Sequence, residues 1–148
     1  MNIIGIHGAF QWDANNGHLG DTTSWSHDSG CSLFIGGKHI CSINEERLTR
    51  IKYDGNFPKS AIKECLRVGN IDPSDVDIVY AVSTNHFVSV EQHYSGVADK
   101  LFKHYFPKAQ VKYIGHHFCH AASSVFTSPF NEGSFLTFDG GGSSILDE

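Results

Sequence analysis

Cysteine is scarce and unpatterned in this chain: four residues, Cys31, Cys41, Cys65 and Cys119, with no Cys-x-x-Cys pair, so a secreted disulfide framework is not indicated. Three of them lie in apolar segments, where a reduced thiol reads as a small core side chain. Basic residues are few as well: 11 Lys and Arg against 16 Asp and Glu give a net charge of −5 and a pI near 6.0. No basic face is on offer to a nucleic-acid backbone, which argues against that class of partner. No run reaches the roughly 18–20 apolar residues of a membrane span. The start, Met1-Asn2-Ile3-Ile4-Gly5, lacks the basic residues and long apolar core of a signal peptide. A cytoplasmic chain with neither membrane nor nucleic-acid partner is expected. Repeats and low-complexity tracts are missing, and no closing helix follows the last glycine turn, so the chain reads as the front piece of something longer.

Hydrophobic residues at 40% and charged residues at 18% suit one folded domain with a sizeable core. Ile3, Ile4 and Ile6 predict a buried strand over Asn2–Gly8. Ala9–Ser26 is a long polar loop. Cys31–Ile35 and Lys38–Asn44, joined by Gly36-Gly37, predict a hairpin. A charged stretch, Glu45–Lys52, and a turn at Asp54-Gly55 lead to a helix from Pro58 to Gly69-Asn70, with Ala61, Ile62, Cys65 and Leu66 at helical spacing. Asp77–Ser83 is apolar enough to predict a strand covered on both faces. A helix over Val90–Phe106, a strand over Val111–Ile114, a helix over His116–Thr127 and a strand over Phe135–Phe138 follow. That order predicts an α/β domain with a mixed sheet, the hairpin antiparallel and the later strands parallel.

Four residue sets can carry chemistry. His116 and His120 are four apart, hence one turn apart on a helix face, and two such imidazoles can share a metal ion. His117 and His120, three apart, can pair equally well, and spacing leaves the choice open. Asp139, at the end of the last predicted strand, is a candidate third ligand. Gly140, Gly141, Gly142 and Ser143 form a turn whose backbone amides can approach an anion, although no Walker lysine follows. His27-Asp28, just before the hairpin, can orient or deprotonate a hydroxyl. Arg47, Arg50 and Lys52 can bind an anionic ligand, or simply form a solvated charged loop.

Taken in order, Gly5-Ile6-His7-Gly8, His27-Asp28-Ser29, Asn44-Glu45-Glu46-Arg47, Phe57-Pro58 and His116-His117-Phe118-Cys119-His120-Ala121-Ala122-Ser123 resemble the amino-terminal part of the O-carbamoyltransferases of the nodulation and antibiotic-carbamoylating type. Ser128-Pro129-Phe130 and Leu136-Thr137-Phe138-Asp139-Gly140 extend the resemblance. It implies an actin-like ATPase (ribonuclease H-like) fold with helices on both faces of the sheet. It also implies a downstream YrdC-like domain that makes carbamoyl-adenylate from carbamoyl phosphate and ATP. The front domain is then expected to pass the carbamoyl group to a hydroxyl of a small-molecule or sugar acceptor beside a divalent metal, usually iron. On this resemblance the metal ligands fall on His116, His120 and Asp139, with a further Asp beyond residue 148, and the acid/base pair on His27 and Asp28. Arg47, Arg50 and Lys52 would face the carbamoyl-adenylate. The chain by itself is then expected to be inactive. The rival readings are an ATP-dependent metabolite kinase of the same fold and a non-enzymatic metal- or nucleotide-binding module.

Overall fold

The structure, a computed structural model, describes residues 1–8, 27–82 and 97–139. The expected loop Ala9–Ser26, the first turns expected of the Val90–Phe106 helix, and Gly140, Gly141, Gly142 and Ser143 lie outside the described residues. Five strands, β1 (Asn2–His7), β2 (Gly30–Ile35), β3 (Lys38–Asn44), β4 (Ile78–Val82) and β5 (Gln110–Tyr113), form one sheet in the order β3-β2-β1-β4-β5. β1, β2 and β3 pair antiparallel, whereas β4 runs parallel to β1 and β5 parallel to β4. The mixed sheet is therefore as expected. The β2–β3 hairpin turns on Gly36 and Gly37, at φ 57° and 80°. A side chain at either would strain the left-handed backbone that a two-residue turn needs.

Period-2 alternation divides the sheet. Ile4, Ile6, Cys31, Leu33, Val79 and Ala81 turn to one face and are at most 3% exposed; the residues between them turn to the other. On the buried face lie α2 (Lys59–Gly69) and α3 (Val97–Tyr105). α2 presents Ala61, Ile62, Cys65 and Leu66, and α3 adds Leu101 and Phe102, with Phe106 just beyond it. Burying each such large apolar side chain contributes roughly 1.5–3 kcal/mol. Phe57 joins the two helices, its ring 6.1 Å from that of Phe102 and 4.8 Å from that of Tyr105. Asn70 ends α2 in the left-handed region at φ 51°, its N–H donating to the Arg67 and Leu66 carbonyls.

A short helix that the periodicity did not announce, α1 (Glu45–Thr49), continues directly from β3. α4 (His116–Thr127) has the expected bounds. It stands beside the opposite face of the sheet, where Cys119 lines the same groove as Gly5 and Ser32. Two expectations are corrected. β4 is not covered on both faces by the described residues: Val79 and Ala81 are buried, but Ile78, Tyr80 and Val82 are only half-buried. Phe135–Phe138 is not a strand. Phe135, Leu136 and Phe138 are 61%, 89% and 96% exposed. Apolar composition favours burial, but a strand also needs a ladder partner, and no described strand offers this segment one.

Candidate metal centre

α4 starts where β5 ends, with Gly115 at its N-cap and the Cys119 N–H bonded to the Gly115 carbonyl at 3.1 Å. Its first two turns carry His116 and His120 on one face. Their rings lie edge to face, centroids 4.5 Å apart. His116 Nε2 is 2.6 Å from Asp139 Oδ2, His120 Nε2 is 3.1 Å from the same oxygen, and the two Nε2 atoms are 3.0 Å apart. Two nitrogens and one oxygen thus surround a common point. The arrangement fits a cation: metal–donor bonds of roughly 2.0–2.1 Å set neighbouring ligands about 3 Å apart. Two imidazoles and a carboxylate suit iron, zinc or manganese. His117, which spacing left as an equal partner, takes no part; its Nδ1 is buried and has no partner among the described residues.

The second pair approaches from β2. His27 Nδ1 lies 2.8 Å from Asp28 Oδ2, with both side chains about half exposed. Asp28 sits at φ 54°, a left-handed conformation that Asp tolerates better than most residues. The next residue holds the pair in place. Ser29 is fully buried; its N–H donates to the Asp54 carbonyl at 2.8 Å, and its own carbonyl accepts from the Glu45 N–H at 2.9 Å.

His27, Asp28, His116, His120 and Asp139 line one cavity of about 330 Å³, together with His7, Val82 and Cys119. His7 is the residue that sequence reasoning passed over. It ends β1 at the carboxyl edge of the parallel part of the sheet, where ligands of α/β sheets bind, and the step from a buried strand into Gly8 was the available signal. Burial pushes its imidazole below the usual histidine value, more than the hydrogen bond with the Asp28 carbonyl raises it. His7 therefore enters the cavity as a neutral ring at neutral pH.

The basic segment is not brought there. Arg47 pairs with Glu46 at 3.5 Å and is exposed, Arg50 caps α1 at φ 63°, and Lys52 lies 4.8 Å over the Tyr53 ring. None of the three lines the cavity. Glu45, in the same segment, is 4% exposed. Its carboxylate accepts from the Ser60 and Ala61 amides at 3.0 and 2.7 Å, which caps α2.

A mixed α/β domain with two histidines and a carboxylate at the carboxyl edge of its sheet defines the class. More particularly, residues 18–104 match the family described as Carbamoyltransferase N-terminus, and the chain belongs to that family. The match includes His27 and Asp28 and ends before His116. The chain is similar to the nodulation protein NolNO of Sinorhizobium fredii, 28% identical over 160 residues, which takes in 96% of this chain and 23% of that protein. It is also similar to an uncharacterised protein of Synechocystis sp., 28% identical over 157 residues, covering 84% of this chain and 26% of the relative. The chain spans about a quarter of the length of these curated relatives. No described helix is long and apolar enough to cross a membrane.

Proposed function

We propose that this chain forms part of a metal-assisted O-carbamoyltransferase, which moves the carbamoyl group of carbamoyl-adenylate to a hydroxyl of a small-molecule or sugar acceptor, breaking the bond between the carbamoyl carbon and the phosphate oxygen and releasing AMP. The observation that carries this reading is the meeting of His116, His120 and Asp139 in the cavity that also holds His27 and Asp28. Family membership supports carbamoyl transfer in general. The sheet, an antiparallel three-strand unit continued by two parallel strands, suits the actin-like ATPase fold that the resemblance implies. Carbamoyl phosphate and ATP would feed the reaction through a YrdC-like domain elsewhere in the protein.

His116, His120 and Asp139 would hold a divalent cation, iron foremost. Bound there, the cation would supply Lewis acidity towards the negative charge that develops as a hydroxyl attacks the carbamoyl carbon. The rest falls to the chain. With His27 Nδ1–H donating to the Asp28 carboxylate, Nε2 carries the lone pair that takes the acceptor's hydroxyl proton. The carboxylate fixes that tautomer and stabilises the imidazolium that results. The backbone bonds on either side of Ser29 keep the pair from swinging out of the cavity.

A kinase of the same fold has no use for two histidines and a carboxylate around one point, so the transferase reading is preferred. The test is the double variant His116→Ala with His120→Ala in the full-length protein. Bound metal, read by elemental mass spectrometry, and carbamoylated product, read by mass spectrometry, are both expected to be lost. Unchanged metal content with unchanged turnover would remove the ligand assignment, and a phosphorylated product would favour the kinase.

A further inference from the structure

His7 sits where β1 leaves the sheet, and strands on both sides hold it there. Register sets it opposite Gly30 of β2 and Val82 of β4. Ile6 turns into the core, so the His7 side chain turns to the other face and lines the cavity of the candidate metal centre. The next residue is clamped as well: a Cβ on Gly8 would stand 2.8 Å from the Asn56 carbonyl oxygen and 2.9 Å from the Ser29 Cβ. Only glycine lets the chain pass so close, and the backbone that carries His7 has little room to shift.

The ring has a fixed polarity. His7 Nδ1 lies 3.4 Å from the Asp28 carbonyl oxygen, and a carbonyl can only accept, so Nδ1 carries the hydrogen. Nε2 of a neutral imidazole then carries a lone pair, and burial keeps this ring neutral.

The other acceptors lining the cavity, among the described residues, already have partners. The Nε2 atoms of His116 and His120 converge on Asp139 Oδ2. His27 Nδ1 is bonded to the Asp28 carboxylate, and its Nε2 is taken by the acceptor's hydroxyl proton in the mechanism above. Val82 has no acceptor, and the Cys119 sulfur is a weak one. The lone pair of His7 Nε2 is left over. On the donor, the amino group of the carbamoyl unit is left over. Its N–H bonds are what distinguish it from an acyl group of the same shape, such as acetyl, and a buried N–H without an acceptor is costly.

Resting on the transferase reading, we infer that His7 is a specificity-determining residue: its Nε2 accepts a hydrogen bond from the carbamoyl amino group and so selects carbamoyl donors over acyl donors of the same shape.

The experiment uses the full-length protein and two hydrolysis-resistant probes, the adenosine 5′-esters of carbamoylmethylphosphonate and of acetonylphosphonate. In both, a methylene replaces the oxygen between the carbonyl carbon and phosphorus; they differ only in an amino group against a methyl group. Isothermal titration calorimetry reads both dissociation constants, and elemental mass spectrometry reads bound metal. The unsubstituted protein is expected to bind the carbamoyl probe about five- to tenfold more tightly, the ordinary value of one hydrogen bond. His7→Phe keeps a ring and removes the acceptor, and the two probes are then expected to bind within about twofold of each other. His7→Gln restores an acceptor oxygen and is expected to keep a preference of at least about threefold. Metal content is expected to stay within about twofold in both. Circular dichroism melting identifies a His7→Phe protein that fails to fold, and the smaller His7→Ala then takes its place. A preference that survives loss of the acceptor, or that the Phe and Gln variants lose alike, overturns the role of His7 and leaves the transferase reading standing. Equal binding of the two probes by the unsubstituted protein does the same. Failure of both probes to bind ends the carbamoyl-adenylate reading, and the role of His7 with it.

Discussion

Glu45 and Asp139 are both carboxylates at the end of an apolar segment, yet they end up with opposite partners. Glu45 is buried and bonded to backbone amides at the start of α2. Asp139 is 36% exposed and meets two imidazoles. Backbone amides are fixed donors, so the Glu45 carboxylate is committed to holding one helix. Imidazoles can exchange a proton or a carboxylate contact for a cation, so Asp139 remains available for chemistry. A charged motif is thus placed by what its charge faces, not by how many charges it holds. The Glu45 segment still serves the site, at one remove: its backbone N–H clamps Ser29, the neighbour of Asp28.

The contrast breaks most sharply under substitution of the carboxylate that meets the two histidines. Asp139→Asn keeps the shape and removes the charge, and is expected to lower metal content severalfold and carbamoyl transfer by at least about a hundredfold, the scale of losing one electrostatic stabiliser of a transition state. The metal-free melting temperature is expected to move by no more than about 2 °C. A large fall in stability with intact metal binding would make Asp139 structural and erase the difference from Glu45.

Glu45→Ala is expected to do the reverse. The Ser60 and Ala61 amides lose a charged acceptor in a buried setting, at a cost of about 2–3 kcal/mol. For a domain of this size that is a drop of about 5–10 °C in melting temperature. Metal content at the histidine pair should hold. Loss of metal at temperatures well below melting would instead tie Glu45 to the centre directly.

A smaller effect belongs to Thr49. Its hydroxyl bonds the Asp54 carboxylate at 2.8 Å and the Glu45 carbonyl at 3.2 Å, and Asp54 is the residue whose carbonyl receives the Ser29 N–H. Thr49→Val keeps the shape and removes those bonds, for about 1 kcal/mol in urea unfolding. If the Asp54–Ser29 link positions the acid/base pair, kcat falls a few-fold while the acceptor KM stays put. A fall in stability alone would leave Ser29 held by Glu45.

These placements differ in how far sequence could reach them. The sheet was legible because Ile4, Ile6, Leu33, Val79 and Ala81 keep the strand period, and Gly36-Gly37 admits one kind of turn. The pairing of His116 with His120 was half legible: helical spacing allowed it, but only three-dimensional packing excluded His117. α1 escaped because five residues hold too few apolar positions to show a period. Phe135–Phe138 misled because its apolar residues resemble a strand whether or not a partner edge exists. Glu45's role as a cap on α2 has no local signature, since its partners Ser60 and Ala61 lie 15 and 16 residues away. His7 was hidden for a related reason: its neighbours in the cavity come from the His27-Asp28 step before β2, from β4, from α4 and from Asp139.

The smallest expected effect completes the comparison between the basic segment and the histidine set. Arg47 is paired only with its neighbour Glu46 among the described residues, at 3.5 Å, with the arginine side of the pair largely in solvent. Such a pair is worth at most about 1 kcal/mol, because water screens it and two long side chains lose freedom in making it. Arg47→Ala is therefore expected to change the melting temperature by no more than about 2 °C and the KM for the carbamoyl donor proposed above by less than twofold. A tenfold rise in that KM, with kcat unchanged, would mean that the guanidinium binds the anion during turnover. The charged segment would then belong to the binding machinery in its own right, and its service to the site would no longer be confined to the clamp on Ser29.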